Sequence, residues 1–317
     1  MRGSPHPPPG GRRHPAAAAV LLITLLGGCG LGPGPTPGGV RLTVTDDFGS
    51  RLIYAGARPR ISGQDTVMRL LQRNASVTTR YGGGFVQSID GRAGGQIGGR
   101  PIDWFYYVNG IEASVGAAST TLHAGDRIWW DRHDWGATMD TPAVVGSFPE
   151  PFARVDGRQP MPIRVECEQP AGAACQLVSA RLGALGAHAS RSSLGAGAAA
   201  PAVRVLVGRW QAVRADPTAA ALERGPAASG VYLRPDRSGS TLTLLDPAGR
   251  AAGVLRTGSG LVAATRAGDA APVWLIAGTD PAGVSAAARA FDERDLHGHF
   301  ALALSGGRRL PVPEVGG

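Results

Sequence analysis

Apolar positions change their spacing several times along the chain, and each change marks an element. Leu42 and Val44, then Phe48, Leu52 and Ile53, predict two short strands around a turn over residues 46–50. Val67, Leu70 and Leu71 recur at helical spacing, which predicts a helix over 64–73 with Ser62 as its cap. Residues 77–81 and 85–89 read as strands on either side of Gly82-Gly83-Gly84. Residues 104–108 and 111–115 flank Asn109-Gly110, a pair that accepts positive φ angles and so predicts a type I′ hairpin. A last strand, 127–131, follows the turn at Ala124-Gly125-Asp126. One helix on a mostly antiparallel sheet is an α+β, β-grasp-like domain.

Residues 139–160 are richer in Pro and Gly and read as a linker to a second domain over 161–305. There the pattern predicts strands at 163–165, 203–207, 231–233, 241–245, 261–265, 273–277 and 300–304, with helices over 174–185 and 281–291. A further helical stretch over 210–223 is interrupted at Asp216-Pro217. Residues 273–277 are apolar on both faces, as in a central strand covered from two sides. The expectation is an α/β domain with a mixed sheet, followed by a tail over 306–317.

The amino terminus has a different character. Arg2, Arg12 and Arg13 precede an 11-residue run over 16–26 that is apolar but for Thr24, too short to span a membrane and of the length of a signal-peptide core. Leu26-Gly27-Gly28-Cys29 then resembles the bacterial lipobox, which implies a signal peptide ending at Cys29 and lipid attachment to that residue. The Gly- and Pro-rich residues 30–40 read as a flexible tether. The location expected is the outer face of the bacterial cytoplasmic membrane. Outside the cytoplasm a disulfide persists, so Cys167 and Cys175, eight positions apart, read as a structural disulfide; the alternatives are two free thiols or half of a metal site, which no Cys-x-x-Cys and no neighbouring His supports.

Composition narrows the chemistry. All 32 basic residues are arginine, and without lysine there is no Schiff-base, Walker A or kinase-type amine. The net charge of +8 is dispersed: residues 41–135 hold 11 Arg against 9 acids, so no basic stripe is present and no nucleic-acid partner is expected.

Phe85-Val86-Gln87-Ser88-Ile89-Asp90-Gly91, then Trp104 through Gly116, then Gly125-Asp126-Arg127-Ile128-Trp129-Trp130 resemble, in order, the motifs of the transcobalamin-like C-terminal domain. That family is also catalogued as a domain of unknown function in bacterial surface proteins. The resemblance covers residues 41–138. It implies a β-grasp-like fold and, through the vitamin carriers of the family, cobalamin or another corrinoid as a candidate ligand. The helical barrel that completes the site in those carriers has no counterpart here. Residues 161–305 resemble no known family.

Four of the six tryptophans lie between Trp104 and Trp135. In a strand Trp104 and Tyr106 face one way and Tyr107 the other, and Trp129 and Trp130 also point oppositely. One set packs on the helix. The other either docks on the second domain or forms an exposed aromatic face for a flat ligand such as a tetrapyrrole. The ligand-binding candidates are therefore Trp104, Tyr106, Tyr107, Trp129, Trp130, Trp135 and His133. His133 could be oriented by Asp131 or Asp134 for proton transfer or metal binding, or be a solvated strand-end residue. His297-Gly298-His299 resembles a fragment of a metal site, with a polar loop as the ordinary alternative. No nucleophile, base and acid can be assembled, and no metal is expected. The chain reads as a non-enzymatic lipoprotein that passes a small molecule to a membrane importer. An envelope protein or glycan module is the second reading, and a hydrolase in residues 161–305 the third.

Overall fold

The computed structural model describes residues 36–57, 59–153, 161–196 and 201–315. The expected signal segment and Cys29 lie outside them. Strands β1 (Arg41–Asp46) and β2 (Arg51–Gly56) pair antiparallel, as the alternation predicts. Helix α1 (Val67–Asn74) buries Val67, Met68, Leu70 and Leu71. Its cap is Thr66, whose hydroxyl accepts the Arg69 N–H at 3.3 Å. The predicted cap, Ser62, lies a turn too early, because its N–H bonds the Asp65 carboxylate and the chain stays non-helical until Thr66.

Strands β3 (Val77–Arg80), β4 (Phe85–Ile89) and β5 (Arg92–Ala93) form a small antiparallel sheet. Strands β6 (Gly95–Ile97), β7 (Arg100–Val108), β8 (Ile111–Glu112) and β9 (Arg127–Asp134) complete the main sheet, in the order β2-β1-β9-β7-β6 with β8 on β7. Its centre is the parallel pair β1–β9, and the other pairs are antiparallel. The second arm of the Asn109-Gly110 hairpin is two residues long rather than five, since the chain leaves the ladder after Glu112.

The second half contains β10 (Ile163–Cys167), α2 (Ala173–Ala184), β11 (Ala189–Ser193) and β12 (Val203–Arg209). Short helices α3 (Trp210–Val213), α4 (Pro217–Ala220) and α5 (Pro226–Ser229) follow. The break at Asp216-Pro217 is where the sequence places it: Asp216 caps α4 by accepting from the N–H groups of Thr218 and Ala219, and Pro217 opens the helix. Strands β13 (Leu233–Pro235), β14 (Leu242–Leu245) and β15 (Ala251–Leu255) make a three-stranded antiparallel sheet. Then come β16 (Gly260–Thr265), β17 (Val273–Gly278), α6 (Pro281–Arg289), α7 (Glu293–Leu296), β18 (Ala301–Ser305) and β19 (Arg308–Val312).

The large sheet runs β11-β10-β12-β17-β16-β18-β19, parallel through the first four strands and antiparallel beyond. Strand β17 is buried along its whole length, as its two apolar faces require. Two strands of this sheet lie where none is predicted, as do β5, β6 and β15 elsewhere. Strand β11 reads Ala-Ser-Arg-Ser-Ser and carries no apolar alternation; β19 falls in the predicted tail, an edge strand where Pro311 needs no ladder partner. The chain is α+β, and the disulfide Cys167–Cys175 ties the end of β10 to the first turn of α2.

Up to residue 153 the expected linker is not a loose connection; residues 154–160 lie outside the described residues. Val144, Val145, Phe148 and Phe152 are almost fully buried. The Val144 N–H bonds the Gly110 carbonyl at 2.8 Å, and the Val145 N–H bonds the Phe300 carbonyl at 3.2 Å, so the segment is stitched to both sheets. Phe48, Tyr107 and Trp129 of the first sheet share one hydrophobic core with Trp210, Leu261 and Phe300. Residues 34–317 accordingly form a single compact unit.

Glycine permits the closest approach. At Gly49, with φ +82°, an added Cβ would lie 2.0 Å from the Gly298 carbonyl oxygen. Gly49→Ala is expected to cost more than about 2 kcal/mol, through left-handed strain and a backbone clash. Gly183→Ala, where a Cβ meets nothing within 4 Å in helix α2, is expected to add about 0.5–1 kcal/mol. Urea unfolding of the two variants should move a single transition in opposite directions.

Candidate functional site

The aromatic residues of β7 and β9 are divided between two interiors. Trp104, Tyr106 and Trp130 face α1, with Tyr106 stacked on Trp130 at 4.8 Å. Tyr107, Trp129 and His133 face the second half, where the Phe300 ring lies 5.2–5.7 Å from all three. All six are buried, and the remaining candidate, Trp135, is partly exposed, its indole N–H on Asp103 at 3.1 Å. The alternative realised is docking, and the exposed aromatic platform is not present on these strands. The physical reason is that residues 141–152 and β18 cover the face that would have been open.

Asp131 sits at the centre of this contact with no exposed surface. Its carboxylate accepts from the Thr45 hydroxyl, the N–H groups of Phe48 (3.1 Å) and Gly49 (2.8 Å), and Nδ1 of His133 (2.8 Å). Trp129 Nε1 in turn donates to Thr45 Oγ1 at 2.6 Å. The turn presents those two N–H groups because Asp47, Phe48 and Gly49 all take positive φ. The His133 ring is stacked on Phe105 at 4.5 Å and lies 4.6 Å from Phe48. His133 is thus oriented by Asp131, one of its two predicted partners, but inside an aromatic box without solvent access; it is a packing residue, neither solvated nor open to substrate.

The exposed aromatic surface lies elsewhere, on the glycine-rich tip between β3 and β4. Tyr81 is 85% exposed, and its ring meets Phe85 edge-on at 6.2 Å. Tyr81 also has φ +53°, an unfavourable conformation for a bulky residue. Val115, 57% exposed, belongs to the adjacent loop, where Gly116 packs against the Gly84 carbonyl. The buried aromatics support this tip: the Tyr106 hydroxyl donates to the Val115 carbonyl at 2.6 Å, and Trp104 Nε1 donates to the Arg92 carbonyl at 2.9 Å. Sequence reading missed Tyr81 because a strand was extended over it. The signal was the run of three glycines, which leaves a following and a preceding ring without neighbours.

The same 112–116 segment borders a cleft of about 250 Å³ lined by Glu112, Ser114, Asp140, Pro142, Arg266 and Asp269. Glu112 accepts the Thr141 N–H at 2.6 Å, and burial, with Asp140 nearby, raises its carboxyl from 4.5 to about 7 against the opposing pull of Arg266. A second crevice of about 130 Å³ lies at the carboxyl ends of β10 and β12, where the parallel strand order reverses. Ligands of doubly wound sheets bind at such a point; here the Glu168–Arg209 ion pair and the disulfide partner Cys175 line it. His297 and His299 are both held below the ordinary imidazole range, chiefly by burial. Among the described residues no three His, Cys, Asp or Glu side chains are grouped to hold a metal. No described helix is long and apolar enough to cross a membrane.

A helix-backed sheet with a central parallel pair defines the first half as β-grasp-like. Residues 64–134, from just before α1 to the end of β9, match the family model described as Domain of unknown function (DUF4430), consistent with a transcobalamin-like domain. The match begins after β1 and β2, so the central strand β1 lies outside it. No curated protein matches the chain.

Two outcomes are expected. Asp131→Asn leaves donors without an acceptor in a dry site and should lower stability by about 3–5 kcal/mol. Glu112 has a raised carboxyl in the folded state, so folding favours its protonated form: stability is greatest below about 4.5 and declines as pH rises towards 7. Glu112→Gln should flatten that decline in denaturation measured from pH 4 to 8.

Proposed function

We propose that the chain is a non-catalytic, extracytoplasmic binding protein, held at the membrane through a lipid on Cys29, that captures a corrinoid such as cobalamin for a membrane importer. The observation that carries this reading is the solvent-exposed Tyr81–Phe85 pair on a strained backbone. An aromatic ring held in water at a conformational cost gains by being covered, and a flat, partly apolar macrocycle covers it well. Val115 extends the apolar surface, and the polar cleft bordered by Glu112 and Arg266 begins one residue away at Ser114. The match to the DUF4430 family over 64–134 includes the segment that carries the tip. The lipobox supports the location.

The test is titration calorimetry of the full chain with cobalamin and incomplete corrinoids, other tetrapyrroles serving as controls. A dissociation constant near or below about a micromolar, roughly 8 kcal/mol, is expected, and Tyr81→Ala with Phe85→Ala should weaken it at least about tenfold. Both residues are solvent-facing, so the fold is retained. Absence of heat and of thermal stabilisation at high ligand excess overturns the corrinoid reading. It would leave the envelope protein or glycan module, which uses the same exposed rings, as the better account.

A further inference from the structure

A cavity of about 180 Å³ opens beside the β18–β19 hairpin, and three arginines line it: Arg289 from the end of α6, and Arg308 and Arg309 from β19. Its floor is Ala286, Ala290 and Leu304, small or apolar groups that leave room beneath the guanidinium groups. The Gly306-Gly307 turn forms the rim, and a Cβ at either glycine would meet nothing within 4 Å, so its backbone is open to a ligand. We propose that this cavity is a binding site for a phosphoryl group.

The charge balance favours an anion. Arg309 is paired with Asp295 at 2.7 Å, whereas Arg289 and Arg308 have no acid partner among the described residues. The acids near the margin are already engaged. Asp295 is held by Arg309, Asp292 is paired with Arg181 at 3.4 Å, and Asp280 accepts from the N–H groups of Gly258 and Gly283. The cavity meets the carboxyl end of α6, where the helix dipole opposes an anion. That opposition is reduced, because Arg181, itself paired with Asp292 at 3.4 Å, donates to the carbonyls of Ala288 (3.2 Å) and Arg289 (2.8 Å) and satisfies two acceptors of the last turn. Guanidinium groups are planar forks that match phosphate oxygens in pairs, and an apolar floor strengthens the attraction. The site lies on the second half, outside the matched residues 64–134, and is independent of the corrinoid reading.

Two sources carry this chemistry, a soluble phosphate ester and a phospholipid headgroup. The full chain would be titrated with inorganic phosphate and glycerol phosphate by calorimetry, and co-sedimented with phosphatidylglycerol or phosphatidylcholine vesicles. The variant Arg289→Gln/Arg308→Gln removes two exposed, unpaired groups and should unfold as the parent does. Arg191→Gln, exposed and outside the cavity, controls for general charge. Binding of phosphate, ester or anionic vesicles that weakens at least about tenfold in the double variant and holds in the control is the expected result. Vesicle binding without free-ester binding assigns the headgroup, and the reverse assigns the soluble ester. No binding to any probe, or equal losses in the double variant and the control, overturns the proposal.

Discussion

A carboxylate buried without solvent has to be satisfied by the protein, and in this chain much of the architecture follows from satisfying Asp131. Its oxygens require the hydroxyl of Thr45 on the neighbouring parallel strand, two N–H groups from a left-handed turn and the imidazole of its own strand. Those donors fix the β1–β9 pairing and the shape of the β1–β2 turn. The turn in turn brings Phe48 against Tyr232 and Phe300, and places Gly49 against the backbone of Gly298. A polar requirement in the first sheet thereby determines where the second half must sit.

The elements were legible in the sequence wherever burial is one-sided or complete. The alternation in β1, the helical stripe of α1 and the doubly apolar β17 all announce themselves, as does the proline break before α4. What stayed hidden was how the elements meet. Residues 141–152 look like a linker because proline and glycine are frequent there, yet Val144, Val145, Phe148 and Phe152 recur at a helix-like spacing in a stretch where Pro149 and Pro151 oppose a helix, and they are buried between two surfaces instead. Strands β11 and β19 owe their pairing to a neighbouring strand rather than to their own side chains.

The candidate site of the sequence and the exposed aromatic surface of the fold do not coincide. Aromatic density around β7 and β9 marks two interiors, because strand geometry sends Trp104, Tyr106 and Trp130 into one core and Tyr107 and Trp129 into another. Exposure is decided by what covers a face, which sequence spacing does not encode. Tyr81 stands out only once the chain is folded, when the three glycines beside it supply no side chain to shield the ring. Buried Tyr106 and Trp104 then acquire a different part, holding the backbone on which the exposed residues stand.

The seam formed by residues 141–152 has a dynamic consequence. Two lobes joined by a free connection can close over a guest, and opening then governs its escape. Here residues 141–152 are themselves interior, bonded to Gly110 on one side and Phe300 on the other, so this part of the connection offers no hinge on which the lobes could swing. Under the proposed function, a guest on the Tyr81 tip would be held by surface contact alone. Its residence time would then be set by how well those rings are covered, and transfer to another protein would proceed by competition for the same rings, with no conformational step in the donor.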